Sequence, residues 1–286
     1  MKNSKLLLIC AASLMYSSAA WADRLHSCDA LNGLVSWSTL KTKLKTAVTP
    51  GGTPANGGFG FNMWATIVAN DGTVCAVAYS GNRYTDQWLE SRVISAQKAY
   101  TANGLSLSSN TQPSGKVGVP LSTANLYAAV QPGGSLYGLQ FANPVDPGDA
   151  YDKGRKPADP YTFGTPNDTM VGDVVGGTNV FGGGLALYAA GAKVGGIGVS
   201  GDTSCTDHFV AWKLRNLLGL DKMGAIGASG VTASGDNARP DNIVFDIPAT
   251  SPTNTQGNVG VSAGGFGHPS CVFQPGNPSQ LPAVTH

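Results

Sequence analysis

The sequence has few charged residues and no excess of either sign. Lys, Arg, Asp and Glu make up 12% of its 286 residues, and the formal net charge is +1. A nucleic-acid-binding surface requires a strong excess of Lys and Arg, which this composition does not supply. The one basic cluster, Lys41, Lys43 and Lys45, has the alternation typical of the solvent-exposed face of a short helix. We therefore expect no nucleic-acid partner.

Long apolar runs are missing after the N-terminus. Glycine, proline and polar residues interrupt every later candidate, so we expect no membrane span. The N-terminus itself has a short cationic start, an apolar run from Leu6 to Tyr16, and then Ala20-Trp21-Ala22. This order is typical of a cleavable signal peptide, because the run is shorter than the roughly 20 residues that cross a bilayer. We expect residues 1–22 to be removed and residues 23–286 to work in the periplasm or outside the cell.

The sequence also lacks Cys-x-x-Cys pairs, which are typical of zinc sites, thiol-redox sites and covalent c-type haem attachment. Removal of the signal peptide takes away Cys10 and leaves an even number of cysteines, which predicts two disulfides in an oxidising compartment. These cysteines are Cys28, Cys75, Cys205 and Cys271. Three pairings are possible. Because the termini of a domain are often close in space, we favour Cys28 with Cys271 and Cys75 with Cys205.

Short hydrophobic patterns, some with the period of a helix and some with the period of a strand, predict an α+β fold. Asn70-Asp71-Gly72 joins two apolar runs and is a strong β-hairpin signal. In chain order, the predicted elements are a helix over 36–48, strands over 63–69 and 74–80, a helix over 86–102, strands over 183–188 and 194–200, a helix from about 204 to 218 and a strand over 242–247. Pro, Gly, Asn, Ser and Asp dominate residues 105–184, which predicts a long, loop-rich insert. Nothing marks a domain boundary, so we expect one domain over 23–286.

A glycine-rich turn follows the second predicted hairpin. Gly196-Ile197-Gly198-Val199-Ser200-Gly201 has the glycine spacing of a dinucleotide-binding turn, and Asp221 lies about twenty residues further on. However, the preceding strand is half of a hairpin and the next helix begins too late, so we interpret the match as a coincidence. The glycine after Ser200 follows it directly, which disfavours the Gly-x-Ser-x-Gly turn of serine hydrolases.

The loop after this strand is the first candidate site. Its hydroxyl and N–H groups meet a helix N-terminus, where they could hold a carboxylate or another anion, or simply cap the helix. The residues predicted to bind a ligand there are Ser200, Asp202, Thr203 and Ser204. Asp207 and His208 enter the same helix and are the acid/base candidates.

Histidines and basic residues supply the remaining candidates. Two of the four histidines, His208 and His268, are candidate iron ligands, although a structural role is the alternative for each. Arg92 and Lys98 lie on the predicted helix over 86–102. Solvent exposure is the simple interpretation of both, but either could pair with a carboxylate or propionate of a ligand.

Three segments together resemble the GlcG/HbpS-like family of haem-binding proteins. They are the hairpin around Asn70-Asp71-Gly72, SRVISAQKAYTA over 91–102, and GGIGVSGDTSCTDH over 195–208. The resemblance covers roughly residues 60–220 and is interrupted by the insert at about 105–184. It implies a profilin-like antiparallel sheet flanked by helices, a homo-oligomer, and a pocket for haem or a similar planar anionic ligand. Family members differ in their axial ligand, so the resemblance transfers none to this sequence.

Two main hypotheses follow for the function, beside a plain binding module without chemistry. The first is an exported haem-binding protein that sequesters haem or helps degrade it, with His208 or His268 at the iron. The second is an extracytoplasmic enzyme or accessory factor that acts on a small hydroxy or keto acid. There, Asp207 or His208 would be the acid/base, and Arg92 with the loop at 200–204 would hold the carboxylate.

Overall fold

The computed structural model describes residues 27–49, 56–108, 119–153, 156–224, 236–247 and 261–285. The predicted signal peptide, His26 and His286 lie outside these residues. The regular elements are α1 (Asp29–Asn32), α2 (Trp37–Val48), β1 (Trp64–Ala69), β2 (Val74–Tyr79), α3 (Ser91–Leu105), α4 (Leu126–Ala129), α5 (Pro147–Tyr151), β3 (Asp152–Lys153), β4 (Lys156–Pro157), β5 (Gly184–Ala189), β6 (Ala192–Ser200) and α6 (Ser204–Leu217). In the part of the chain described, the helices are too short or too polar to cross a membrane.

The two predicted hairpins form a single four-stranded sheet. Its order is β2-β1-β6-β5, and every neighbouring pair is antiparallel. Helix α3 packs on one face of the sheet, whereas α2 and α6 pack on the other. The predicted α+β class, with an antiparallel sheet flanked by helices, is confirmed.

Side chains of β1 point alternately to the two faces of the sheet and contribute to a hydrophobic core on each face. Trp64 and Val68 point toward α3, whereas Ala65 and Ile67 point toward α2 and α6. Because helices cover both faces, each residue of β1 is buried. This explains why the strand contains apolar residues at almost every position instead of alternating with polar ones.

The glycines of β6 allow α3 to lie unusually close to the sheet. A Cβ on Gly198 would lie 1.9 Å from the Ser95 carbonyl oxygen, and one on Gly196 would lie 2.4 Å from the Ala99 oxygen. The glycine pattern therefore serves helix-on-strand packing. Since β6 is an antiparallel strand between β1 and β5, the structure agrees with treating the dinucleotide motif as a coincidence.

Several boundaries differ from the predictions. Helix α3 begins at Ser91 instead of residue 86, because Arg83 and Asp86 form a separate ion-paired turn before it. It also continues through Gly104 to Leu105. The predicted strand over 242–247 is wrong: this stretch makes only an isolated bridge, from Ile247 to Pro269.

Helix α6 has the expected limits. Thr203 caps it, because its extended backbone lets Oγ1 accept a hydrogen bond from the Thr206 N–H. At the other end, Gly219 adopts a φ of +66°, as expected of a glycine that ends a helix.

Two disulfides are present, as predicted, but the favoured pairing is wrong. Cys28 bonds to Cys75, and Cys205 bonds to Cys271. The favoured pairing assumed that the two terminal segments are tied to each other. Instead, each is tied to its own element of the core: the N-terminal segment to β2 and the C-terminal segment to the start of α6.

Candidate functional site

The loop from β6 to α6 is held together by its own polar groups. The Asp202 carboxylate accepts hydrogen bonds from the backbone N–H groups of Phe59 at 2.9 Å, Phe61 at 3.2 Å and Thr203 at 2.6 Å. Ser200 ends β6 opposite Trp64 and is buried. These interactions of Asp202 and Thr203 organise the loop and cap the helix, and an anion-binding role for them stays a prediction.

Lys98 and Asp207 form a fully buried ion pair at the start of α6. The Lys98 Nζ lies 2.6 Å from Asp207 Oδ2, 3.1 Å from the Val199 oxygen and 4.0 Å from the centroid of the Phe181 ring. Both charged side chains are 0% exposed. Burial raises the pKa of Asp207 to about 6, against the opposing effect of the Lys98 charge, and burial also lowers the pKa of Lys98. The acid/base role of Asp207 stays a prediction.

His208 is enclosed beside this pair. Its Nε2 lies 3.1 Å from the Ile243 backbone nitrogen and 3.2 Å from Asn242 Oδ1. Its Nδ1 is buried and makes no hydrogen bond to the described residues. Burial lowers the pKa of His208 to about 3, so the ring is neutral near pH 7. Its predicted role as an iron ligand would require space that the residues around it now fill.

His268 is fixed by hydrogen bonds at both ring nitrogens. Nδ1 lies 2.6 Å from the Pro269 carbonyl oxygen, and Nε2 lies 2.7 Å from the Ser204 hydroxyl. Because a carbonyl can only accept, Nδ1 carries the proton and the Ser204 hydroxyl donates to Nε2. The ring is 2% exposed, and burial lowers its pKa to about 4. Its predicted role at iron likewise stays a prediction.

Arg92 ties α3 to the insert. Its guanidinium makes a two-point ion pair with the Asp168 carboxylate, donates to the Ala150 oxygen at 3.0 Å and lies 3.9 Å from the centroid of the Phe163 ring. Arg92 and Asp168 are both about 2% exposed. The predicted ligand-binding arginine therefore faces a carboxylate of the protein itself.

The insert also forms one wall of an open cleft of about 350 Å³, which we call the tyrosine cleft. Its aromatic lining consists of Tyr79, Tyr84, Tyr161 and Phe163. Tyr84 and Phe163 pack edge to face with their centroids 5.7 Å apart, and Tyr161 is 91% exposed. Such a concave aromatic surface suits a planar ligand.

Two cations and a buried phenol complete the tyrosine cleft. Lys41 and Arg83 line it, and the Arg83 side chain is 79% exposed. The Tyr79 hydroxyl is buried without a hydrogen-bond partner in the described structure. Burial raises the pKa of Tyr79 to about 12, and the charge of Asp86 adds to this effect. A Cβ on Gly81 would lie 2.6 Å from the Tyr79 ring, so this glycine keeps room beside the phenol.

No sequence pattern predicted the tyrosine cleft. Its lining comes from α2, from the end of β2 and the turn after it, and from residues 160–165 of the insert, and these segments share no motif. The one available signal was the tyrosine and phenylalanine content of Tyr161-Thr162-Phe163 within a stretch otherwise poor in apolar residues. The predicted site residues instead lie in the buried cluster around α6 and at the contact between α3 and the insert.

The two enclosed histidines are expected to make the protein less stable in acid. Both fold with pKa values of about 3 and 4, below the ordinary 6.5, so only the unfolded chain takes up these protons as the pH falls below 6.5. Asp207 acts in the opposite direction, because its folded pKa of about 6 exceeds the ordinary 3.8. Two protons taken up by the unfolded chain against one taken up by the folded chain lower the free energy of unfolding by about 1 kcal/mol per pH unit between pH 6 and 4.5.

Urea unfolding at pH 7 and pH 5 tests this dependence. The free energy of unfolding should be lower at pH 5, and His208→Gln should flatten the dependence, because it removes one of the titrating groups. Equal stability at the two pH values in the wild-type chain would contradict the assignment of neutral, enclosed imidazoles.

Comparison with known proteins gives a family match and similar solved structures, two of which are described here. Residues 55–214 match the family described as haem degrading protein HbpS-like. No curated protein matches the chain. The crystal structure of the Klebsiella pneumoniae protein ORFY, of family DUF336, is 22% identical, with a TM-score of 0.39 over 64% of this chain and 90% of that one. The crystal structure of a PduOC:heme complex is 21% identical, with a TM-score of 0.39 over 64% of this chain and 94% of that one.

Proposed function

The chain belongs to the family of HbpS-like haem degrading proteins, and we propose that it is an exported protein that binds haem. The protein would sequester haem or take part in its breakdown. The observation that carries the proposal is the family match over residues 55–214, which includes the whole four-stranded sheet and most of α6.

The tyrosine cleft is the place where the residues fit such a ligand. Haem presents a flat macrocycle, two propionates and an iron that accepts nitrogen, sulfur or oxygen ligands. Aromatic side chains offer a face for the macrocycle. Lys41 can pair with a propionate, and so can Arg83, whose ion pair with Asp86 is exposed. The phenol of Tyr79 is an oxygen ligand of a kind known at haem iron. Its hydroxyl has no hydrogen-bond partner in the described structure but is buried, so iron would reach it only after the side chain turns toward the cleft. When bound, haem would supply the redox-active iron, which this chain's own side chains do not provide.

Export is part of the same proposal. The N-terminal pattern over residues 1–22 supports it, and the two disulfides are compatible with an oxidising compartment. Homo-oligomer formation is also proposed, from the family resemblance. N-terminal sequencing of the protein recovered from outside the cytoplasm should read from Asp23, and an intact Met1 would contradict cleavage.

A haemin titration followed at the Soret band tests ligand and site together. The wild-type protein should give a saturable shift at micromolar concentration. Lys41→Gln and Arg83→Gln should each weaken binding about five- to tenfold, because each removes a charge from the cleft. Lys43→Gln is the matched control on α2, since Lys43 does not line the cleft, and it should bind as the wild type does. No saturable shift in the wild type would overturn haem binding itself.

Spectra of the variants identify the group at iron. Tyr79→Phe should change the Soret position of the bound haem, whereas His208→Ala and His268→Ala should leave it unchanged. If His208→Ala or His268→Ala abolishes the Soret shift and Tyr79→Phe does not, haem binding stands but the tyrosine cleft is the wrong site.

A further inference from the structure

Three side chains with atoms suited to a soft metal ion meet at the start of α6, apart from the tyrosine cleft. The Sγ atoms of Cys205 and Cys271 and a ring nitrogen of His268 all lie within 4.8 Å of one another. Cys205 and His268 are buried, whereas Cys271 is half-buried. At present the two sulfurs are bonded to each other, so neither is available as a thiolate ligand.

One sulfur–nitrogen distance and the Cα–Cα distance at this disulfide are compatible with a tetrahedral zinc site. Zinc binds thiolate sulfur at about 2.3 Å and imidazole nitrogen at about 2.0 Å, so its ligand atoms lie about 3.5–3.8 Å apart. Cys205 Sγ is already 4.0 Å from His268 Nδ1. The Cα atoms of Cys205 and Cys271 are 6.0 Å apart, a distance at which rotation about the Cα–Cβ bonds separates the sulfurs with little movement of the backbone.

Ser204 is placed to support the imidazole in a metal-bound state. Its Oγ lies 2.7 Å from His268 Nε2 and accepts a hydrogen bond from the Gly182 N–H at 2.7 Å. If Nδ1 binds a metal, it gives up its hydrogen bond to the Pro269 oxygen, the ring proton moves to Nε2, and the Ser204 oxygen can accept from it. A partner of this kind on the second ring nitrogen is the usual arrangement of a metal-binding histidine.

We propose that reduction of the Cys205–Cys271 disulfide creates a Zn²⁺ site formed by Cys205, Cys271 and His268. A dithiol supplies the two electrons: the S–S bond breaks, two cysteine thiols form, and the dithiol becomes a disulfide. Zn²⁺ then binds both sulfurs as thiolates, and the two thiol protons pass to solvent. Because Cys271 is half-buried, water can reach the fourth coordination position of the Zn²⁺.

The other disulfide provides an internal control. Cys28 and Cys75 would release two thiols on reduction as well, but in the described part of the chain they belong to no comparable group of three metal-binding side chains. Reduction alone therefore should not make them a zinc site. The proposal is independent of haem binding, because neither these cysteines nor His268 lines the tyrosine cleft.

Thiol alkylation tests the proposal on the unmodified chain. The protein is reduced with a phosphine and treated with iodoacetamide with or without one equivalent of Zn²⁺, and the rate at each cysteine is read by peptide mapping. Zn²⁺ should slow alkylation of Cys271 at least tenfold and leave Cys28 and Cys75 unchanged. No protection of Cys271, or equal protection of all three cysteines, would overturn the proposal. If reduction unfolds the C-terminal segment, Zn²⁺ will not protect Cys271, and the proposal is overturned.

Cobalt spectroscopy tests the imidazole separately. Reduced wild-type protein should bind Co²⁺ with a thiolate-to-metal absorption band, and the oxidised protein should show none. His268→Ala should weaken binding at least tenfold, whereas His286→Ala, which removes a histidine at the chain end, should bind as the wild type does. If His268→Ala retains wild-type affinity, the three-residue site is wrong.

Discussion

Replacing Lys98 with methionine is expected to lower the free energy of unfolding at pH 7.5 by about 3–5 kcal/mol, because it leaves the Asp207 carboxylate buried without an opposite charge. Both side chains are 0% exposed, and the Lys98 ammonium is 2.6 Å from the carboxylate. The N–H of Asp202, at 2.9 Å, would remain a partner of Asp207 and would not replace the lost charge.

The loss of unfolding free energy caused by Lys98→Met should be smaller in acid. This pH dependence distinguishes the effect of the missing charge from the effect of lost packing, which does not depend on pH. Asp207 already has a pKa of about 6 with Lys98 present, and removing Lys98 raises that pKa further. At pH 5 the carboxyl of the variant is protonated and needs no opposite charge, so the difference from the wild type should be smaller than at pH 7.5. Urea unfolding followed by tryptophan fluorescence at both pH values measures it.

Two further variants complete this test. Lys98→Met combined with Asp207→Asn should recover part of the loss, because no unpaired charge remains. Arg83→Met removes a cation from an exposed ion pair with Asp86 and should cost less than about 1 kcal/mol. An equal cost for Lys98→Met and Arg83→Met would contradict the importance of the buried pair.

Local patterns predicted most of the sheet and of the helices around it. The hairpin turn at Asn70-Asp71-Gly72 lies between β1 and β2 as expected, and α2, with Ser36 as its cap, lies within the predicted range 36–48. Gly219 follows α6 with the left-handed φ of a helix-ending glycine. These features depend on neighbours within a few residues, which is the range over which periodicity and turn chemistry act.

The charged residues of α3 could not be interpreted in the same way. Arg92 pairs with Asp168 and Lys98 pairs with Asp207, across 76 and 109 residues of sequence. Charges on a helix ordinarily indicate a solvated face, but the insert covers the side of α3 that carries Arg92. The sequence indicated a long insert without indicating that it would cover this helix. The tyrosine cleft was missed for the same reason, because residues 160–165 form one of its walls.

The contact of β6 with α3 leaves no room for a side chain at Gly198. A Cβ there would lie 1.9 Å from the Ser95 oxygen, 2.5 Å from the Ala99 nitrogen and 3.0 Å from the Lys98 Cβ. Two of these three atoms belong to the backbone of α3, so a rotamer change cannot relieve the overlap. The whole helix would have to move away from the sheet, and the buried ammonium of Lys98 would move with it.

Gly198→Ala is therefore expected to destabilise the protein by at least about 3 kcal/mol, at the upper end of the usual cost of overpacking. Gly104→Ala is the matched control, because it adds the same methyl group to α3 at a position where no atom lies within 4 Å. It should raise the unfolding free energy by about 0.5–1 kcal/mol, since alanine favours the helix over glycine. Thermal and urea unfolding of the two variants should shift in opposite directions. A stable Gly198→Ala protein would mean that α3 does not pack on β6 at this distance. The positions of Arg92 and Lys98, which depend on that contact, would then also be wrong.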